Sequence, residues 1–165
     1  GVRETMDAIG MLGNRSAMRT LVNDFPVLGV GTSSTHDQVT VAGLLTGSDV
    51  ADLHRIGKNA DWEQTEYTRR ALAELAHLDP DRPGDQLTDQ DIHAAVIERY
   101  RLLSSAPSLV VVASLDDAAM VRQRPNMPGT VGGYPNWRIG LPAPVEDVLT
   151  SPMAQDLVHM FNQTR

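Results

Sequence analysis

Cysteine is absent from this 165-residue chain. That excludes disulfide staples and thiolate metal sites, and it leaves the redox compartment unmarked. Aromatic residues are scarce, at 4%, so few positions can offer a ring to a core or a ligand. No apolar run is long. The longest, "SLVVVAS", falls far short of the ~20 residues that a bilayer-spanning helix needs. Positive charge is short as well: 14 Lys and Arg stand against 21 Asp and Glu, a net charge of −7. The basic residues are scattered, whereas a nucleic-acid binder would gather them into one face. The opening residues, "GVRETMDAIG", are polar and charged with no apolar h-region, so no signal peptide is visible. A soluble, cytoplasmic chain is the expectation, with no nucleic-acid or membrane partner. There is no internal repeat and no low-complexity tract.

What is present suffices for one folded unit. Apolar residues make up 41% of the chain, enough to build a core at this length. Val2, Met6 and Ile9 fall on one helical face, with Gly10 and Gly13 as stop signals. Residues 17–22 ("AMRTLV") and 27–32 ("VLGVGT") are short runs that suit strands. Ser48 begins a helical pattern through Val50, Leu53 and Ile56, closed by Gly57. Asp61 with Gln64 reads as a capping box opening a helix to Leu78, with Leu72 and Leu75 in its buried stripe and Trp62 either in that stripe or partly exposed on the helix face. Residues 79–86 ("DPDRPGDQ") are a solvated loop. Thr88 caps a further helix carrying Ile92, Val96, Tyr100 and Leu103 inward. Residues 106–114 ("APSLVVVAS") read as a strand buried on both faces. A Pro- and Gly-rich signature loop region then covers 115–150. The last helix, 151–165, is amphipathic, opens at Ser151–Pro152 and runs through Leu157, Met160 and Phe161. Strands alternating with helices point to an α/β fold with a parallel sheet.

Within this frame the His36–Asp37 pair, in "GTSSTHDQVTVAG", needs a reason. It sits just past a strand end among small hydroxyl residues, so it is either a turn of the Asx kind or part of a site. A second candidate lies at 124–142, "RPNMPGTVGGYPNWRIGLP". Pro125 and Pro128 fix φ, and Gly129 admits a conformation closed to other residues. Held there, the Asn126 amide offers both a donor and an acceptor, which suits a sugar hydroxyl. The same prolines would equally justify a purely structural turn. Tyr134, Trp137 and Arg138 fit either carbohydrate contact or the pinning of a long loop, and for Trp137 and Arg138 the second reading is preferred. Asp116–Asp117 has the look of a carboxylate pair but reads as structural. His54, His77, His93 and His159 lie in expected helices without metal-ligand spacing, so they read as surface residues.

Taken together, these motifs resemble a known family. "NMPGT", followed by "PNWR" and "LPAPVEDVL", is similar to the C-terminal signature of the 4-alpha-glucanotransferases, also called amylomaltases or disproportionating enzymes. "THDQVTVAG" resembles that family's Thr-His-Asp motif, with Thr40 three residues after the Asp. "SAPSLVVVASLDD" resembles the strand before the signature loop, and "GVRETMDAIGMLGNRSAM" the helix and turn after the catalytic acid. The motifs stand in family order across nearly the whole chain. Val39 and Leu45 stand where the family usually has a proline and a bulky aromatic.

The resemblance implies a (β/α)8 barrel of retaining transglycosylases that pass α-1,4-glucan units to glucan acceptors without metal or organic cofactor. It implies that this chain is roughly the last third of that barrel, incomplete by itself. By the same correspondence Asp37 is the transition-state-stabilising carboxylate, His36 binds the same sugar, and Asn126 contacts the glucan. The family's nucleophile and its acid/base Glu fall before Gly1, and Glu4 stands in the helix after the acid. Gly1 could follow a removed initiator Met, but the motifs favour a longer parent. The implied partners are an α-1,4-glucan and the remainder of the barrel, covalent or as a separate chain. The alternative is a catalytically inactive remnant that binds glucan or a protein partner.

Overall fold

The computed structural model describes residues 22–164. The helix expected over 2–9, Glu4 and all but the last residue of the strand expected over 17–22 lie outside them. The chain runs through β1 (Val30–Thr32), α1 (Val41–Thr46), α2 (Ser48–Arg55) and α3 (Trp62–Leu75). After a single 3₁₀ turn at Gly84–Gln86 come α4 (Asp89–Ser104), β2 (Val110–Val112), α5 (Leu115–Ala118), α6 (Val145–Leu149) and α7 (Pro152–Thr164). Among the described residues β1 and β2 form a two-stranded parallel sheet, Val30 opposite Val110 and Thr32 opposite Val112. Parallel neighbours need a long crossover, and here α1 to α4 supply it.

Local chemistry accounts for the helix ends. Thr88 Oγ1 accepts from the Asp91 amide while the Asp91 carboxylate accepts from the Thr88 amide, a capping box opening α4. The Asp61 carboxylate accepts from the Gln64 amide at the start of α3 (3.1 Å). Ser151 Oγ accepts from Ala154 N ahead of α7 (3.2 Å). Past α2, Gly57 takes φ +72°. Its N–H reaches the His54 carbonyl at 3.0 Å and the Lys58 N–H the Leu53 carbonyl at 2.9 Å, the paired bonds of a Schellman stop.

The core gathers on α4, whose Ile92, Ala95, Val96, Tyr100 and Leu103 are buried. It meets Leu72 and Leu75 of α3, Val41, Ala42 and Leu45 of α1, and Met153, Leu157 and Met160 of α7. Tyr100 and Phe161 pack edge to face, centroids 6.2 Å apart. Two glycines permit close approach. A Cβ on Gly31 would touch Leu103 Cδ1 at 3.4 Å, and one on Gly43 would lie 2.5 Å from the Arg122 carbonyl oxygen.

Three expectations need correction. Trp62 is not in the buried stripe of α3 but 63% exposed, because it occupies the first helical position, beyond the reach of α4. The buried residues of α2, for which no expectation was set, are Val50, Asp49 and Asp52. The strand expected over 106–114 shortens to three residues. It is also not buried on both faces: Val110 and Val112 are about half exposed, as is Val30 opposite. Side chains alternate along a strand, so Val30, Val110 and Val112 share one face while Gly31 faces Leu103 on the other. Nothing among the described residues covers that apolar face. Finally, the region 115–150 is not all loop, since α5 and α6 lie at its two ends.

Candidate functional site

His36 and Asp37 occupy the turn between β1 and α1. The Gln38 N–H bonds the Thr35 carbonyl at 3.0 Å, and the Gln38 side chain closes the loop on the Thr35 amide (3.0 Å). The pair therefore sits at the two central positions of a turn, with side chains about half exposed. Thr40 fixes where the turn ends. Its Oγ1 caps α1 by accepting from Gly43 N (2.9 Å) and donates to the Val121 carbonyl (2.5 Å). Asp37 caps no helix.

The signature segment comes to this turn from 89 residues away. Asn126 Nδ2 donates to Asp37 Oδ1 at 2.7 Å, and Asn126 N donates to the His36 carbonyl at 3.2 Å. His36 Nε2 lies 3.3 Å from the same Asp37 oxygen. Both contacts use Oδ1, and among the described residues Oδ2 has no partner. The Asn126 Oδ1 likewise has no partner among the described residues. Trp137 joins from the end of the loop, its ring 4.9 Å from that of His36. The three residues singled out by sequence thus converge on one exposed patch beyond the C-terminal end of β1.

A rigid frame holds that patch. The Arg124 guanidinium meets the Asp49 carboxylate through Nε–Oδ1 at 2.6 Å and Nη2–Oδ2 at 2.5 Å, and its Nη1 donates to the Asp37 carbonyl at 3.2 Å. Neighbouring positions fasten to the same helix, with Ser48 Oγ donating to the Arg122 carbonyl (2.9 Å) and Gln123 Nε2 to Asp52 (3.4 Å). Residues 48, 49 and 52 lie along one edge of α2, so three consecutive loop residues are laced to it. The Tyr134 hydroxyl donates to the Arg124 carbonyl (2.8 Å). Burial, then the negative charge of Asp52 and Asp49, pushes that phenol up to about 12, so it remains a donor at neutral pH.

The turn at 126–130 is built as its residues require. Gly129 takes φ +70°, Thr130 Oγ1 donates to the Met127 carbonyl (2.6 Å), and Lys58 Nζ holds the carbonyls of Pro128 and Gly129 at 3.0 and 2.9 Å. Asn136 spans the loop base, accepting from Met127 N (2.8 Å) and donating to Thr130 Oγ1 (2.6 Å).

Two expected loop anchors behave otherwise. Trp137 and Arg138 do not pack into the body but are exposed, Trp137 at 65%. Anchoring falls to Tyr134, which the sequence offered for pinning the loop or for carbohydrate contact, and to Arg124, Asn136 and Lys58, which sequence reasoning did not select. Arg124 directly precedes the proline-bracketed turn, but its partner Asp49 is 75 residues away in a helix with a polar face, and no local pattern joins them. Asp117 is structural. Fully buried, it accepts from Val41 N (2.9 Å) and the Tyr100 hydroxyl (2.7 Å), tying α1 to α4. Beside it, burial and then the Asp117 charge raise the Asp116 carboxyl. The described residues contain no cluster of three or more metal-ligating side chains, and none of their helices is long and apolar enough to cross a membrane.

Residues 2–145 match the family model described as 4-alpha-glucanotransferase, glycoside hydrolase family 77. The 4-alpha-glucanotransferases of Mycobacterium bovis and Mycobacterium tuberculosis are 33% identical over 136 residues. Those matches take in 75% of this chain but only 18% of each relative. The crystal structure of amylomaltase from Corynebacterium glutamicum superposes with a TM-score of 0.66 at 21% identity, covering 84% of this chain and 22% of that one. The fold is thus shared with a limited part of a much longer chain. With the family model covering most of its residues, the chain belongs to the 4-alpha-glucanotransferase family.

Proposed function

We propose that this chain is a C-terminal part, about the last third, of a (β/α)8 4-alpha-glucanotransferase barrel, working in the cytoplasm on α-1,4-glucans. The cytoplasmic setting rests on the family reading alone. In this proposal the chain contributes the transition-state-stabilising Asp37, with His36 and Asn126 as sugar contacts. The nucleophile and acid/base come from the remainder of the barrel. The observation that carries the reading is the 2.7 Å bond between Asn126 and Asp37, which joins the two motifs into one site.

The chemistry follows from what a retaining transfer needs. A carboxylate nucleophile and a carboxylic acid stand about 5–5.5 Å apart, and the sugar ring flattens toward an oxocarbenium ion. Asp37 has one oxygen committed to Asn126 and His36 and one open. The open oxygen grips ring hydroxyls whose hydrogen bonds strengthen as the ring distorts, so it contributes to rate more than to ground-state binding. The neighbouring amide and imidazole orient the carboxylate in advance, which limits reorganisation when charge develops. No step of this mechanism requires a metal or organic cofactor.

The missing part has a place to join. The Val30, Val110 and Val112 face is apolar and open, and a two-stranded parallel sheet cannot close on itself. Further barrel strands, in the same polypeptide or as a separate chain, would cover it. That open face also supports the second reading, a catalytically inactive remnant that binds glucan or a protein partner.

Transfer between maltotriose molecules decides between them. The chain alone should be silent, and activity should appear with a complementing N-terminal portion and fall about a hundredfold or more with Asp37→Asn. Activity from the chain alone would overturn the assignment of the reacting carboxylates. Complementation that never yields activity, with maltooligosaccharide binding retained, would establish the remnant.

A further inference from the structure

Trp137 combines two features that folding alone disfavours. Its indole is 65% exposed, and its backbone is left-handed at φ +60°, where a Cβ crowds the neighbouring carbonyl. Two other non-glycine residues among those described take positive φ, His77 and Met120. Each directly follows the C-cap of a helix, α3 and α5 respectively, where a left-handed residue serves to stop the helix. Trp137 ends no helix. Glycine or asparagine would fill its position with less strain, yet a scarce aromatic is held there.

The holding is deliberate in its geometry. Trp137 N donates to the Pro125 carbonyl (2.9 Å), and Arg138 N donates to that of Pro135 (3.0 Å). The preceding Asn136 is tied to Met127 and Thr130. The backbone is therefore pinned to the base of the proline-bracketed turn while the ring projects beside His36, tilted by 45°. Strained residues persist where the surroundings over-determine them, and they cluster at binding sites.

We propose that Trp137 is a stacking platform for a glucose residue of the glucan, next along the chain from the one held by Asp37. This rests on the glucan reading above and adds to it a residue that sets chain-length preference. A pyranose presents a face of C–H groups and a rim of hydroxyls. The electron-rich face of the indole takes the C–H face, while the rim of the adjoining sugar meets Asp37 and Asn126. His36 stands between Asp37 and Trp137, touching both, which separates the two sugar positions.

The test uses the full chain carrying Trp62→Phe, since only two tryptophans are present and Trp62 is exposed on α3. Maltotriose should then perturb the emission of the remaining indole. Trp137→Gly should weaken maltotriose binding by calorimetry about tenfold, the scale of one lost aromatic stack, and erase any preference for maltotriose over maltose. Trp137→Phe should retain most of the affinity. The melting midpoint of Trp137→Gly should stay the same or rise, because glycine relieves the left-handed strain. A loop-anchoring role would move stability and binding down together, and that outcome overturns the proposal. So does unchanged maltotriose affinity in Trp137→Gly while Asp37→Ala and Asn126→Ala lose binding, which leaves the glucan reading intact. No binding of any maltooligosaccharide by the parent chain would remove both.

Discussion

Replacing Asp49 with leucine separates two contributions of the Arg124 ion pair. The pair has two bonds of 2.6 and 2.5 Å, and its side chains are 8% and 14% exposed for Asp49 and Arg124. An exposed pair would contribute about 0–1 kcal/mol. Stranding one charge of a buried pair costs about 3–5 kcal/mol. Arg124 keeps the Asp37 carbonyl at 3.2 Å and some solvent, so the low end applies and Asp49→Leu should cost about 3 kcal/mol. For a chain of this size that is a fall in melting midpoint of roughly 6–12 °C, with a matching shift in the urea midpoint. Adding Arg124→Met removes the stranded charge, and the double variant should return to within about 1 kcal/mol of the parent. On the proposed reading, glucan affinity should not return with it, since the bond from Arg124 to the Asp37 carbonyl is gone. An Asp49→Leu cost below about 1 kcal/mol would put the pair among surface ion pairs. A double variant as unstable as the single would show that uncompensated charge was not the cause. Either result refutes the reasoning.

Tyr100→Phe should cost about 2 kcal/mol in urea unfolding, because its buried hydroxyl donates to Asp117 Oδ2 (2.7 Å) and accepts from Ser114 N (3.1 Å), and that oxygen and that N–H would lose these bonds; a loss under 0.5 kcal/mol contradicts this. Asp91 carries an acid signature: bonds from the Thr88 hydroxyl, then Arg82, then the Thr88 amide lower its carboxyl from 3.8 to about 2. Its stabilisation is complete above the unfolded value and lost as pH falls through about 2. Asp91→Asn should therefore flatten the decline in urea midpoint between pH 4 and pH 2, and a decline as steep as the parent's would exclude this group as its source.

Much of the fold was legible because its signals are local. Thr88, Asp61, Ser151 and Gly57 mark helix ends through bonds to residues within five positions, and the spacing of Ile92, Val96, Tyr100 and Leu103 shows the inward face of α4 directly. Burial that depends on distant partners was not legible. No local pattern marks Asp49 and Asp52, yet both are buried and bonded to Arg124 and Gln123. The β-branched run at 110–112 reads as fully covered, yet one face is bare, because periodicity reports a demand for neighbours without supplying them. The site divided along the same line. His36, Asp37 and Asn126 stood out through motif order. Tyr134 was offered as a loop pin and is one, whereas Arg124, Lys58 and Asn136 make contacts whose sense appears only once the loop is folded back onto α2.

On the proposed reading, that division bears on how part of a barrel can hold a site with precision. Every bond described here that orients Asp37 and Asn126 comes from within this chain: the cap at Thr40, the Arg124 clamp on α2, and the Lys58 grip on the turn. Sites held by rigid supporting residues reach productive geometry without help from the ligand. On the proposed reading, the carboxylate that stabilises the transition state is therefore set before any other part of the barrel arrives. The complementing portion need only extend the parallel sheet and cover Val30, Val110 and Val112 to bring its own carboxylates to the same rim. Loss of the Arg124 clamp should consequently impair glucan contact even when the barrel is otherwise complete.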